Sequence, residues 1–239
     1  MTVVVILGIL ATLSFVAFRA LPRAAKVTSG VLELSAEASN AKAQAHGRDV
    51  RVAVLLYAAP NGPIRYWTVL DPWLTVLDAM ASNPGWTKPE ELRPASPPAP
   101  SGARYRLISQ GELDKTVSFV EGGYRTVVGD KVDTRCAALG TGAFVLATGQ
   151  GGGGGYFPPP YCMVPEARGC TFCTESGGAT RGALVFEPEG RVRLVDGNGV
   201  ESLAGAGSFT LNGKDLPPQR AMAVALTGSG LIHTFRGSR

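Results

Sequence analysis

Apolar and polar positions along the chain follow two different periods. Val3 to Phe18 is a run of sixteen residues without a charge. Beyond it, Val27, Val31, Leu34, Ala38, Ala41 and Ala45 recur at steps of four and three and share one helical face, while Lys26, Glu33, Glu37, Asn40 and Lys42 lie off it. The pattern predicts one helix over 1–47, with an uncharged half at 3–18 and an amphipathic half at 23–46. Its seam is narrow and built of small side chains, which allow a sheet or a second helix to approach closely. Pro22 cannot donate to the helical ladder, so a kink or local melting is expected there, and Gly47 takes the C′ position that ends the helix. As a helix, the uncharged run reaches ~24 Å against a hydrocarbon core of about 30 Å, slightly short of a comfortable span.

After Gly47 the period falls to two. Residues 49–57 and 64–70 flank Pro60, Asn61, Gly62 and Pro63 and read as a hairpin with a longer loop. A second hairpin is expected from 183–188 and 191–195, and strands at 208–211, 220–226 and 231–235 continue the pattern. The fold class implied is α+β: a long N-terminal helix packed on an antiparallel, β-rich head over 48–239. Trp67, Trp73 and Trp86, with Tyr66, are expected to anchor the sheet against the helix. Residues 74–171 read as an insertion, with strand candidates at 104–108 and 115–128. It also holds a Pro-rich stretch at 89–100 and the run GQGGGGGYFPPP at 149–160. Stiff Pro segments and a Gly run predict exposed loops where partner contacts concentrate; an insert with no binding role is the alternative.

Charge narrows the functional classes. The formal net charge is +4, yet residues 1–51 hold six basic and three acidic residues, which leaves +1 for the rest. The head is not broadly basic, and general electrostatic capture of nucleic acid is disfavoured. Arg19, Arg23 and Lys26 follow the uncharged run and nothing basic precedes it, so charge alone would keep the head in the cytoplasm. The cysteines argue for the outside. Cys136, Cys162, Cys170 and Cys173 form an even set, which in an oxidising compartment implies two disulfides with three possible pairings. Cys136 with Cys162 would staple the Gly-rich insertion, and Cys170 with Cys173 the entry to the C-terminal sheet; this is the preferred pairing.

Zinc is the competing reading, but one C-x-x-C lacks the paired spacing of common zinc modules. Thr174 stands where haem attachment needs His, and no βαβ setting supports a thioredoxin-like role. Residues 207–215 (GSFTLNGKD) miss the phosphate-loop spacing, with Asp215 where a hydroxyl is required, and the Gly run at 151–155 follows no strand-to-helix signal. His46, at the end of the helix, can favour exposed carbonyls, and His233 alternates within a terminal strand. Neither a catalytic triad nor a His-rich metal cluster can be assembled, so no enzyme activity, metal or cofactor is expected. A secretory signal peptide, a plain signal anchor ahead of a periplasmic domain and a soluble redox or metal protein are the remaining alternatives.

The residues TVVVILGILATLS followed by the amphipathic helix resemble the N-terminus of type IV pilins and of type II secretion pseudopilins. In those families a leader ending in Gly is cut before a segment of the form FTLIELMVVVAILGILA. On that pattern Gly8 takes the mid-anchor Gly and Met1 the seventh mature position, so the cleavage Gly, the N-methylated Phe and the anchor Glu would lie upstream of Met1. Six further helical residues would add ~9 Å and complete a span. The run from FCTESGG through FEPEGRVRL to a final strand, turn and strand resembles the GspH/FimT-like group of minor pilins. The resemblance covers about 1–73 and 172–236.

It implies a subunit held in the inner membrane with a periplasmic head and then built into a pilus, with Val5, Gly8, Leu10, Phe15, Pro22, Val27, Val31 and Leu34 in helix packing and assembly. Expected partners are other minor pilins, the major pilin, the assembly platform and a tip adhesin. The extended head suggests a tip or priming position. A type II secretion pseudopilin has the same architecture and is the runner-up. Some relatives take up DNA through a Gly-Arg-x-Arg motif near the last strands. Gly190 to Arg193 spells it here, with Arg191 and Arg193 as the contacts, but in an earlier hairpin than the family's final turn, which corresponds to 228–235.

Overall fold

The computed structural model describes residues 2–120, 123, 127, 169–202 and 206–236, with side chains described from residue 23 onward. Helix α1 (Thr2–Arg48) runs unbroken, Pro22 included, so the local melting expected at that residue does not occur. Its C-terminus also corrects the expectation for Gly47, which lies within the last turn. The residue in the left-handed region is Asp49 (φ 53°), and Val50 N–H reaches back to the Ala45 carbonyl at 3.3 Å. This is the six-to-one bond of a Schellman end, with a short polar side chain where Gly is the common choice.

Among the described residues ten strands form two antiparallel sheets. β1 (Arg51–Ala58), β2 (Ile64–Asp71), β3 (Arg106–Glu112), β5 (Thr174–Ser176), β6 (Ala179–Phe186) and β7 (Val192–Asp196) make the first, in the order β3-β2-β1-β6-β5, with β7 also pairing β6. β4 (Val117–Phe119), β8 (Ala206–Gly213), β9 (Met222–Thr227) and β10 (Ile232–Arg236) make the second, in the order β10-β9-β8-β4. The structure is thus α+β, an antiparallel β-rich domain with one long N-terminal helix. Among the described residues no helix is long and apolar enough to cross a membrane.

The six seam positions of α1 are 0–3 % exposed. They fill a core built from alternate residues of both sheets: Val52, Val54 and Leu56 of β1, Leu184 and Phe186 of β6, Phe209 and Leu211 of β8, and Val224 and Leu226 of β9. The intervening residues point the other way, as a period of two requires. Ala53, Leu55, Ala183 and Val185 meet helix α2 (Val76–Ser82), Trp86 and Leu92 in a second cluster. Trp67 and Trp86 belong to this cluster, so they brace the face of the sheet opposite α1 and do not anchor it to the helix as expected. Trp86 Nε1–H closes the layer by donating to the Gly197 carbonyl at 3.1 Å. Tyr66 alone of that aromatic set reaches α1, through an Oη donation to Glu33 Oε1 at 2.7 Å.

Of the segment expected as an insertion, residues 74–120, 123, 127 and 169–171 are described. β3 extends the first sheet and β4 the second, α2 covers the first sheet's outer face, and Leu92 and Ala99 of the Pro-rich stretch are buried. Tyr66 lies opposite Gly111 on β3, and a Cβ at Gly111 would clash with the Tyr66 ring and hydroxyl. Glycine is therefore required where the tyrosine ring crosses the strand on its way to the helix. Within the strand expected at 115–128 the described residues include β4, while 121, 122, 124–126 and 128, like the Gly-rich run at 149–160, lie outside the described residues.

Candidate interaction surfaces

Helix α1 presents two faces within the head. Val27, Val31 and Leu34, expected to serve packing, are sealed against the protein's own two sheets. Glu37 accepts hydrogen bonds from Thr68 and Ser109 and, with the Glu33–Tyr66 bond, ties the helix to β2 and β3. Burial and the two neighbouring carboxylates push the Tyr66 phenol well above its ordinary range, so it remains a donor. The outward face carries Ala25, Ser29, Leu32, Ala36 and Ala43, of which Leu32 is 58 % exposed. Val5, Gly8, Leu10, Phe15 and Pro22 lie on the backbone of the same helix, and their side chains are outside the described set.

Beyond the C-terminal end of α1 the first sheet carries a chain of ion pairs that starts in the interior and ends at the surface. Arg51 Nε and Nη2 donate to Glu187 Oε2 and Oε1 at 3.0 and 2.7 Å, a two-pronged contact between side chains almost wholly buried. Arg51 Nη1 donates to the Leu74 carbonyl at 3.1 Å and lies 3.5 Å from Asp71 Oδ2. The Asp71 carboxylate accepts the Thr75 and Val76 N–H groups at 3.0 and 3.1 Å and so caps α2. Burial raises the Asp71 pKa, against the opposing pull of those two N–H donors and of Arg51. Outward, Arg193 Nε lies 2.7 Å from Glu187 Oε1 and its Nη1 donates to Glu201 at 3.1 Å, while Arg191 donates to the same carboxylate at 2.6 Å.

The two candidate DNA-contact arginines are therefore brought together by the structure, each already paired with carboxylate. Sequence reasoning missed Arg51, Asp71 and Glu187. The hairpin register held the signal: pairing Leu56 with Tyr66 across the loop places Arg51 opposite Asp71.

Cys170 and Cys173 are joined in a disulfide buried in the core, with Cys170 bridged to Phe209 of the second sheet and Cys173 packed on Gly182 of the first. Cys136 and Cys162 lie outside the described residues. His46 Nδ1 is 3.1 Å from the carbonyl of Pro188, in the turn between β6 and β7, and His233 stacks on Phe235 at 4.7 Å between centroids. Residues 207–215 form most of β8 and the turn that follows it, with no phosphate cradle opening a helix. Among the described residues no group of three or more His, Cys, Asp and Glu side chains could hold a metal ion. Comparison with family models, with curated proteins and with solved structures finds no match for this chain.

Proposed function

We propose that this protein is a minor pilin of a type IV pilus, a structural subunit that acts in priming of assembly or at the tip. One observation carries the reading: a single helix of 47 residues whose second half is locked into a two-sheet head and whose first half is, by sequence, uncharged from Val3 to Phe18. Arg23 of the helix pairs with Asp215 of the head. The preceding helical residues amount to ~31 Å of rise, close to a bilayer core of about 30 Å and to the depth of a helical bundle in a filament. Insertion into either would bury aliphatic side chains worth ~1.5–3 kcal/mol each.

The DNA-uptake reading gains less support, because Arg191 and Arg193 spend their charge on Glu187 and Glu201. A duplex phosphate would have to displace carboxylates that are part of the sheet's own structure.

The test is cell fractionation of the full chain beside Leu10→Lys. A lysine at the centre of an apolar span costs about 2.5–3.5 kcal/mol on insertion scales. The wild type is expected in the inner-membrane fraction and in sheared surface filaments, and the variant in neither, with the head's thermal unfolding unchanged. A wild-type protein recovered only in the soluble fraction overturns the proposal. Recovery with a secretion complex and not with pili replaces the pilus with the pseudopilin assignment.

A further inference from the structure

Among the described residues the basic side chains are not spread evenly over the head; the excess gathers where α1 enters it. Arg23 Nη1 lies 3.3 Å from Asp215 Oδ2, and Lys26 Nζ lies 2.8 Å from Asp114 Oδ2. These two pairs pin one level of the helix to the turn before β4 and to the β8–β9 connection. Lys214 N–H donates to the Thr116 carbonyl at 2.6 Å, which brings Lys115 and Lys214 into the same place. Arg220 and Arg236, with Ala24, Thr28 and Met222, line an open cavity of about 450 Å³ beside the helix. Arg236 sits there because β10 pairs it with Met222.

Lys115, Lys214, Arg220 and Arg236 are all exposed, and no ion pair among the described residues engages them. Among the described residues six cations thus meet two carboxylates near this level of the helix. Toward the other end of the head, Arg51, Arg191 and Arg193 are balanced by Asp71, Glu187 and Glu201. The charge asymmetry therefore runs along the helix axis.

We propose that this collar binds the headgroups of anionic phospholipids while the subunit waits in the membrane. The inference rests on the reading of α1 as a membrane anchor. A cluster of cations beside a helix suits a charged plane that the helix crosses. Each basic side chain near an anionic surface contributes about 1 kcal/mol, or roughly a fivefold ratio, so Arg220 and Arg236 together carry roughly a 30-fold change in the docked population.

The full chain is reconstituted into nanodiscs of phosphatidylcholine alone or with added phosphatidylglycerol, and amide hydrogen exchange is followed. Peptides covering 213–221 and 232–236 are expected to gain protection only in the phosphatidylglycerol discs. That gain is expected to vanish with Arg220→Glu plus Arg236→Glu and to fade in high salt, while peptides from β1 and β6 remain unchanged as a control on folding. A chain that inserts into both kinds of disc with equal exchange at 213–221 overturns the lipid proposal and leaves the anchor standing. A chain that inserts into neither overturns the anchor reading, and the lipid proposal falls with it.

Discussion

Replacing Glu187 by Ala tests whether the buried ion pairs of the first sheet are structural. Glu187 is 5 % exposed and takes both prongs of Arg51, itself 8 % exposed, so its removal strands a guanidinium in the interior. The remaining partners of that group are Asp71 at 3.5 Å and the Leu74 carbonyl, which do not replace a two-pronged carboxylate. Breaking a buried pair from one side costs about 3–5 kcal/mol, which for a domain of this size lowers Tm by roughly 6–20 °C.

The assay is thermal unfolding of the full chain in detergent, read through tryptophan fluorescence, since Trp86 is fully buried on the same sheet. The informative comparison adds Arg51→Met, Glu187→Leu and the two combined. Removing both charges leaves no stranded guanidinium, so the double variant should be more stable than the sum of its parts predicts. A loss below about 1 kcal/mol in Glu187→Ala, or single effects that simply add, would refute the reasoning, because pairs exposed to water behave in that way.

Other sites give further expectations. Gly111→Ala forces the Tyr66 ring off β3 and breaks its bond to Glu33; at about 1–3 kcal/mol for overpacking plus the lost hydrogen bond, Tm should fall by several degrees, and an unchanged Tm would contradict the Tyr66–Gly111 crossing. The folded-state pKa of Asp71 is raised, so the native state takes up a proton before the unfolded chain does; as pH falls from neutrality toward the ordinary carboxylate range the wild type should gain stability relative to Asp71→Asn, measured by urea unfolding at each pH. Reducing the Cys170–Cys173 bond opens a very short loop, worth about 2 kcal/mol in chain entropy, and should lower Tm by roughly 4–8 °C in a thermal scan with and without reductant.

Two kinds of feature could be read before the fold was known. The seam from Val27 to Ala45 and the hairpins around 60–62 and 188–190 follow from the geometry of one helix or one strand pair, and a periodic apolar pattern records that geometry locally. The pattern does not record which layer covers which face. Trp67 and Trp86 satisfy a buried aromatic position on either side of the first sheet, and only the docking of α2 sends them away from α1. β3 and β4 each lie at a sheet edge, and their membership in two different sheets depended on distant partners.

The end of α1 shows the same division: a glycine at 47 looked like the stop, but strand β1 and the reach of Val50 to Ala45 carried the turn on to Asp49. The ion chain and the basic collar lie furthest from sequence. Their members come from opposite ends of the chain, and charge has no period that could announce the meeting. What the amino-acid order determined by itself is a helix with one face to bury and strands with two. The tertiary structure alone decided that both sheets share that single helical face, since a seam of alanines and valines is narrow enough to sit between them.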